Sequence, residues 1–478
     1  MADSEGATPM IRRFSFKQSN SHLIGAALTT TALAIMPWPL WARVLAAVAV
    51  ALLATLAFDN RLLTDWIRLV IALRTHRRSL PAVSAVSRGC TAMPGDDVAV
   101  RWEGEELVAL IAVAPRPFTP TIVLSSGRTI HADTLSTRVL ADIIDTLDVP
   151  VTADVVSAGW RVGNLAPKTV NQLYAQGIGA DPCPGCRRTF ILVRVDPHAA
   201  LPAAAWRGNG ISGVAAAATS AATRIAEQLS RRGVDAQVAP TYAIYDQFVR
   251  RYYDDLTEGW SHIRGNGFYT TVYSAPGGPD QWWSPRADHT LTRVRLSPGE
   301  PPRSTVALTS VGVMGHDPVG WTRLRGGQMA GLAGDTPIRD THWDLPVGSA
   351  GMLVGSVPRA TSSEVHMDAR LYFPLDAVDA VLHVADPMVT LQVILRSAAI
   401  GADIRLSSDP AWGHIVSRVG AKTSDNPNIT WPGGARTWLV PHRTQRMVQF
   451  NHNEIVSERG RLSVEWIHPR EELGASMQ

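Results

Sequence analysis

The chain has 478 residues, a formal net charge of +3 and 45% hydrophobic residues, room for an anchor and two folded units but too weakly basic to imply nucleic acid by charge alone. Lysine occurs only at Lys17, Lys168 and Lys422, so no Gly-x-x-x-x-Gly-Lys-Ser/Thr phosphate loop exists and a P-loop ATPase is excluded. Three cysteines make no disulfide framework, which fits a reducing cytoplasm.

After an N-terminal tail (1–21), two apolar runs, His22–Met36 and Arg43–Phe58, flank Pro37-Trp38-Pro39-Leu40-Trp41. Arg43 is the only charged residue between Lys17 and Asp59. About 20 residues span a bilayer core, so one straight helix would be too long, and the prolines break it. The expectation is a two-helix transmembrane hairpin over 22–58. Trp38, Trp41 and Arg43 then sit at the membrane interface. Gly25, Ala26, Ala46, Ala47 and Ala51 admit close approach of other helices. Arg12, Arg13 and Lys17 precede the hairpin, and arginines from Arg61 to Arg78 follow it. The positive-inside rule places the protein in the inner (plasma) membrane with both termini cytoplasmic. Two other readings stay open: a buried helical hairpin of a soluble domain, and an Arg12-Arg13 twin-arginine export signal.

Residues 59–96 read as a basic juxtamembrane helix and linker. Leu62–Leu73 has helical periodicity, and Arg74, Arg77 and Arg78 then meet anionic headgroups. A first cytoplasmic unit is expected over 97–249. Val98–Trp102 and Leu107–Val113 form a hairpin signal, and Thr121–Leu124 pairs with Thr129–His131. Leu135–Leu147 reads as a helix, Val151–Ser157 and Thr189–Val195 as strands. Ile211–Arg232 is a long helix with Gly233 as its stop, and Ala236–Val238 a last strand. The fold class is α+β (or α/β).

The paired apolar runs followed by Arg74-Thr75-His76-Arg77-Arg78 resemble the EccE family, core subunits of type VII (ESX) secretion systems. So do Val98-Ala99-Val100-Arg101-Trp102-Glu103-Gly104, the Arg187–Pro197 segment, and Arg207-Gly208 leading into the helix that stops at Gly233. The order and spacing of these segments over Arg12–Val249 carry the resemblance. It implies a structural membrane subunit with no enzymatic residues. It also implies partners: the sister subunits EccB, EccC (the ATPase) and EccD, the protease mycosin, and the lipid bilayer.

A second cytoplasmic α/β unit is expected over 250–470, with a tail at 471–478. Its first stretch is loop-rich. Phe268–Ser274, Ser304–Val313, Thr437–Val440 and Leu462–Trp466 read as strands. Ala380–Ala385, the helix Val389–Ile400 and Ala402–Leu406 form a β-α-β pattern. This echoes the earlier strand–helix–strand run and hints at two similar halves.

Two motifs suggest chemistry. Gly208-Asn209-Gly210-Ile211-Ser212-Gly213, with Asp235 downstream, matches a dinucleotide fingerprint. However, the Pro/Ala-rich stretch Pro197–Ala205 separates it from the strand, whereas a true fingerprint turns tightly from strand to helix. Cys183-Pro184-Gly185-Cys186 has redox or half-zinc spacing, with Cys90 or His198 as further ligands, or is a tight turn. Histidines and acids between His289 and His414 show no zinc-hydrolase spacing, and no Gly-x-Ser-x-Gly elbow occurs. Tryptophans from Trp260 to Trp466 invite either a ligand groove or core packing. No catalytic, cofactor or metal residue is expected. The competing function is a membrane-anchored enzyme, a nucleotide-dependent transferase using the Gly-rich loop.

Overall fold

The computed structural model describes residues 98–466 apart from 254, 276–277, 337, 359–368, 385, 409–411 and 440–445. Before these it describes 14–16, 29, 37–58, 61–62, 67, 69–71, 73–74, 80 and 83–85. Helix α1 covers Leu40–Thr55. Pro37 and Pro39 lie just before its first turn, where proline's fixed φ suits a helix start. The helix therefore begins three residues earlier than the expected run, and Leu40 and Trp41 belong to it instead of to the turn. It ends at Thr55, and Leu56–Phe58 is a strand. Strands β1 (Phe14–Phe16), β2 (Leu56–Phe58) and β3 (Arg61–Leu62) form a small antiparallel sheet. In it Phe14 pairs with Phe58 and Phe16 with Leu56. Leu62, expected to open the juxtamembrane helix, is in β3, while Ile67, Leu69–Ile71, Leu73 and Arg74 are helical. No helix among the described residues is long and apolar enough to cross a membrane. The first apolar run, apart from Thr29, lies outside the described residues, as do Gly25, Ala26, Arg77 and Arg78.

The body is organised on one large antiparallel sheet. Its strands are β4 (Val83–Ala85), β5 (Val100–Glu103), β6 (Glu106–Ala114), β10 (Thr152–Trp160), β11 (Cys186–Val195) and β12 (Asp235–Val238). From later in the chain come β13 (Thr257–Glu258), β14 (Ile263–Gly265), β15 (Phe268–Ser274), β16 (His289–Leu296), β17 (Arg303–Ser310) and β18 (Thr322–Arg323). The order is β13-β14-β15-β17-β16-β10-β11-β6-β5-β4, with β12 also on β6 and β18 on β15. The boundary expected at 249/250 falls inside this sheet, because β10 pairs with β16 from Ala153↔Leu296 to Gly159↔Thr290. The reason is visible in β10 itself. Seven of its nine residues are buried, so both its faces and both its edges need covering.

One face packs on α5 (Gly210–Arg231), with α4 (Pro197–Ala204) and α2 (Thr137–Asp145) beside it. Ala217, Ala218, Ala221, Ala222, Ile225 and Leu229 of α5 meet Ala109, Ile111, Ile191 and Val193 in one core. Small alanines let the helix lie close to the strands. The other face packs on α6 (Ala243–Phe248), through Tyr245 and Phe248 against Val108, Leu110, Phe190, Leu192 and Val156.

A second core joins residues from both ends of the chain. Strands β7 (Thr121–Val123) and β8 (Thr129–His131) extend a sheet of β20 (Met352–Ser356), β21 (Arg370–Phe373) and β30 (Glu465–Trp466). Strand β9 (Thr134–Ser136) pairs with β19 (Asp344–Pro346). A mixed sheet follows, made of β22 (Ala380–Val384), β23 (Asp403–Leu406), β24 (Lys422–Thr423), β25 (Asn428–Thr430), β26 (Arg436–Trp438), β27 (Met447–Phe450), β28 (Glu454–Ser457) and β29 (Gly460–Ser463). Helices α3 (Lys168–Ile178) and α9 (Pro387–Ala399) contact each other, and three short helices are α7 (Pro279–Trp282), α8 (Gln328–Leu332) and α10 (Gly413–Val419). The two strand–helix–strand runs are alike in joining parallel strands of one sheet and differ in how many strands the helix crosses. Strands β11 and β12 are both antiparallel to β6, on its opposite edges, so α5 crosses one strand. Strands β22 and β23 have β26 and β25 between them, so α9 crosses two.

Candidate functional site: an apolar helix and an arginine-braced sheet

Helix α1 carries the clearest functional signal at the N-terminal end. Its first turn rests on Pro39, whose carbonyl accepts from the Ala42 and Arg43 amides. The Arg43 guanidinium turns back, its Nε donating to the Trp38 carbonyl at 2.8 Å. Trp41, Val44, Leu45 and Val48 form an exposed apolar face at i, i+3, i+4, i+7 spacing. Ala46 and Ala47 are half-buried, Ala51 is exposed and Trp38 is exposed. Arg74 is exposed as well. A soluble protein rarely leaves such a stripe open, and larger apolar patches mark membrane or protein contacts.

The charged centre of the body was not foreseen from sequence. Asp154 on β10 is completely buried. It accepts from Arg194 Nε at 2.8 Å, Arg293 Nη1 at 3.0 Å, and Arg295 Nε at 2.7 Å and Nη2 at 3.0 Å. Arg194 also reaches Glu103 at 2.8 Å and Glu106 at 3.1 Å, and Arg101 joins Glu103 to Asp246. Opposite signs thus alternate across β5, β11, β10 and β16, and Arg101 stacks 3.7 Å over the Tyr242 ring. Burial pushes the Asp154 carboxyl up, but Arg295, Arg194 and Arg293 outweigh it and hold it far below the usual range. Burial likewise raises Glu103, and Arg194 and Arg101 pull it below normal. A cavity of about 170 Å³ lies over this network, lined by Glu103, Arg194, Arg293, Arg295, Tyr245 and Leu332. Its buried cations already have carboxylate partners, so the network locks strand register more than it offers a ligand anything.

The Gly-rich loop is structural in geometry. Helix α4 stands between β11 and α5, so the loop joins helix to helix and no strand feeds it. A Cβ on Gly213 would collide with the Gly208 carbonyl oxygen and lie 2.7 Å from that of Ala204. Gly210 has φ +56°, a left-handed value that favours glycine. The Ser212 hydroxyl donates to the Asn209 carbonyl at 2.6 Å. Asp235 begins β12 and bonds to Gln237. The glycines therefore serve the α4–α5 approach, and the space a pyrophosphate would need against Gly213 is filled by backbone.

Cys183 and Cys186 are both buried free thiols. Burial raises both, Cys186 to about 12, so neither ionises readily. Cys186 opens β11, making the motif a turn into a strand. No group of three His, Cys, Asp or Glu among the described residues could hold a metal ion. His289 is a core residue: burial pushes it down to about 4, and its Nε2 lies 2.8 Å from the Phe248 carbonyl. Trp282, Trp283, Trp321 and Trp431 are buried in the cores.

Residues 183–275 match the EccE family model, described as a type VII ESX secretion system translocon. The chain is 39% identical over 467 residues to the ESX-1 secretion system protein EccE1 of Mycolicibacterium smegmatis, covering 97% of each. It is 40% identical over 439 residues to EccE1 of Mycobacterium tuberculosis, covering 90% of this chain and 91% of that one. The ESX-2 protein EccE2 of M. tuberculosis is 30% identical over 154 residues, 30% of this chain and 27% of its own. On these full-length likenesses, the chain belongs to the EccE family of type VII secretion.

Proposed function

We propose that this chain is a structural membrane subunit of a type VII secretion complex, anchored by its N-terminal hairpin, with a cytoplasmic body that docks on sister subunits. The observation that carries the reading is helix α1, whose apolar face at Trp41, Val44, Leu45 and Val48 is exposed and joins no core among the described residues. The β1–β2 pairing supports a hairpin, since it brings the chain before the first apolar run beside the end of the second. The body supports a scaffold: the buried arginines under the cavity over Asp154 are paired with carboxylates, and its fingerprint loop is filled by backbone. EccB, EccC, EccD and mycosin are the partners proposed, and catalysis is not part of the role. The test replaces residues 22–58 by an unrelated two-helix anchor and measures partner recovery on native gels at matched membrane levels. Loss of recovery with an intact body is expected. Wild-type recovery would reduce the hairpin to a tether.

A further inference from the structure

A second cleft, of about 890 Å³, lies on the opposite end of β10 from Asp154. One wall is the length of α3, which presents Lys168, Asn171, Gln172, Ala175, Ile178 and Gly179 to it at helical spacing. The other wall is the segment Ser284–Asp288 with Ser310. The Arg161 side chain braces both walls. Its Nη2 donates to the Gly179 carbonyl at 2.7 Å and its Nη1 to the Ser284 carbonyl at 2.9 Å.

Arg161 is 6% exposed, and its Nε has no hydrogen-bond partner. Carbonyls solvate the guanidinium, but no described carboxylate forms an ion pair with it. The acid that does act on it, Asp181, is already taken by Arg370 at 3.1 Å and the Tyr372 hydroxyl at 2.6 Å. Burial accordingly lowers the Arg161 pKa, whereas at the equally buried Arg194 the lowering by burial is outweighed by Asp154 and Glu103, which raise it. A buried charge left in this way is costly unless something neutralises it. Two more cations, Lys168 and Arg286, line the same cleft and are exposed. The one acid lining it, Asp288, is tied down by accepting from the Val311 amide at 3.0 Å. Helix α3 starts behind Pro167 with no side-chain cap, so its positive end adds to the same sign. Clefts of this size commonly take small molecules.

We propose that this cleft binds a small oxyanion ligand, carrying phosphate or carboxylate groups, between Arg161, Lys168 and Arg286. The ligand's charge completes the buried Arg161, and Asn171, Gln172 and Ser310 supply neutral hydrogen bonds around it. The site is independent of the anchoring and docking role, so its test needs no secretion assay.

The experiment titrates the detergent-purified full chain by calorimetry with inorganic phosphate and, separately, with citrate, at constant ionic strength. Saturable binding of at least one probe is expected. The Lys168→Gln/Arg286→Gln variant removes only exposed side chains, so it should melt like wild type without ligand. It should bind about a hundredfold more weakly, at about tenfold per lost charge-assisted bond. Arg231→Gln, an exposed change on α5, should bind as wild type. Preference for phosphate names a phosphate ester as the ligand class, and preference for citrate a carboxylate. Absence of saturable binding by both probes overturns the proposal, as does binding that the double variant leaves unchanged.

Discussion

Replacing Asp154 by Asn tests whether the charged ladder holds the body together. The substitution keeps the shape and removes the charge. It leaves Arg194 and Arg293 buried, and Arg295 largely so, facing an amide whose NH2 repels them. Removing one member of a buried ion pair costs about 3–5 kcal/mol. The retained amide oxygen can still accept, which favours the lower figure. Near 3 kcal/mol, at about 2–4 °C per kcal/mol for a domain of this scale, the melting temperature should fall by roughly 6–12 °C. Tryptophan fluorescence during heating of the detergent-purified chain reads this out, since Trp282 and Trp283 are buried in the same body. The acid limb adds a sign test. Asp154 is depressed in the folded state, so its contribution is fully present above the unfolded carboxyl value of about 3.9 and is lost as pH falls below it. The wild-type advantage should therefore be flat from about pH 8 to about pH 5 and shrink below about pH 4. A fall of under about 2 °C at neutral pH, or an advantage unchanged at pH 3, would refute the argument.

The same ladder explains where sequence reading stopped. Strand β11, whose Thr189–Val193 is an apolar and β-branched run, was legible, as were β6, the β5–β6 hairpin, the β7–β8 hairpin, and α5 to within a residue of each end. Their signals are local. Strand β16 was not foreseen, because Arg293 and Arg295 alternate with Thr292, Val294 and Leu296 like the wet side of an exposed strand. Only their burial against Asp154, some 140 positions away in sequence, makes them interior. Helix α4 lies in the Pro/Ala-rich stretch Pro197–Ala205, where the sequence predicts no element, since Pro197 and Pro202 are poor helix formers in general. Pro197 is at the helix start, where proline is welcome, behind an Asp196 carboxylate that accepts from the His198 amide. Cleft-lining α3 was missed too: Lys168–Ile178 has only Tyr174 and Ile178 buried, so its apolar periodicity is thin. Arg161 carried no signal at all, because only the two walls it braces define it. The fold class was legible, whereas the boundary at 249/250 was placed by a shift to loop-rich composition that marks no break in the sheet.

Gly213→Ala should destabilise the body by about 1–3 kcal/mol by overpacking the α4–α5 contact, while Ser212→Ala and Asn209→Ala leave secretion intact; saturable nucleotide binding abolished by Asn209→Ala would contradict the architectural role. Cys183 and Cys186 should resist iodoacetamide in the native protein and react fully in denaturant, which mass spectrometry can follow; rapid native alkylation would show the thiols accessible. The last expectation concerns topology. Strands β1 and β2 pair from Phe14↔Phe58 to Phe16↔Leu56, and paired strands are about 4.8 Å apart. The excursion between them thus leaves and returns at one place, and Pro39 lies near its midpoint. If the excursion enters the bilayer, both its ends must be on one side and Pro39 on the other. The arginines flanking the ends put that side in the cytoplasm. In a Cys90→Ser background, where the two remaining cysteines are buried, an impermeant maleimide applied to intact cells should label Pro39→Cys. Ser126→Cys, in the turn between β7 and β8, should be labelled only after the cells are opened. Labelling of Ser126→Cys in intact cells would place the body outside and overturn the anchored orientation.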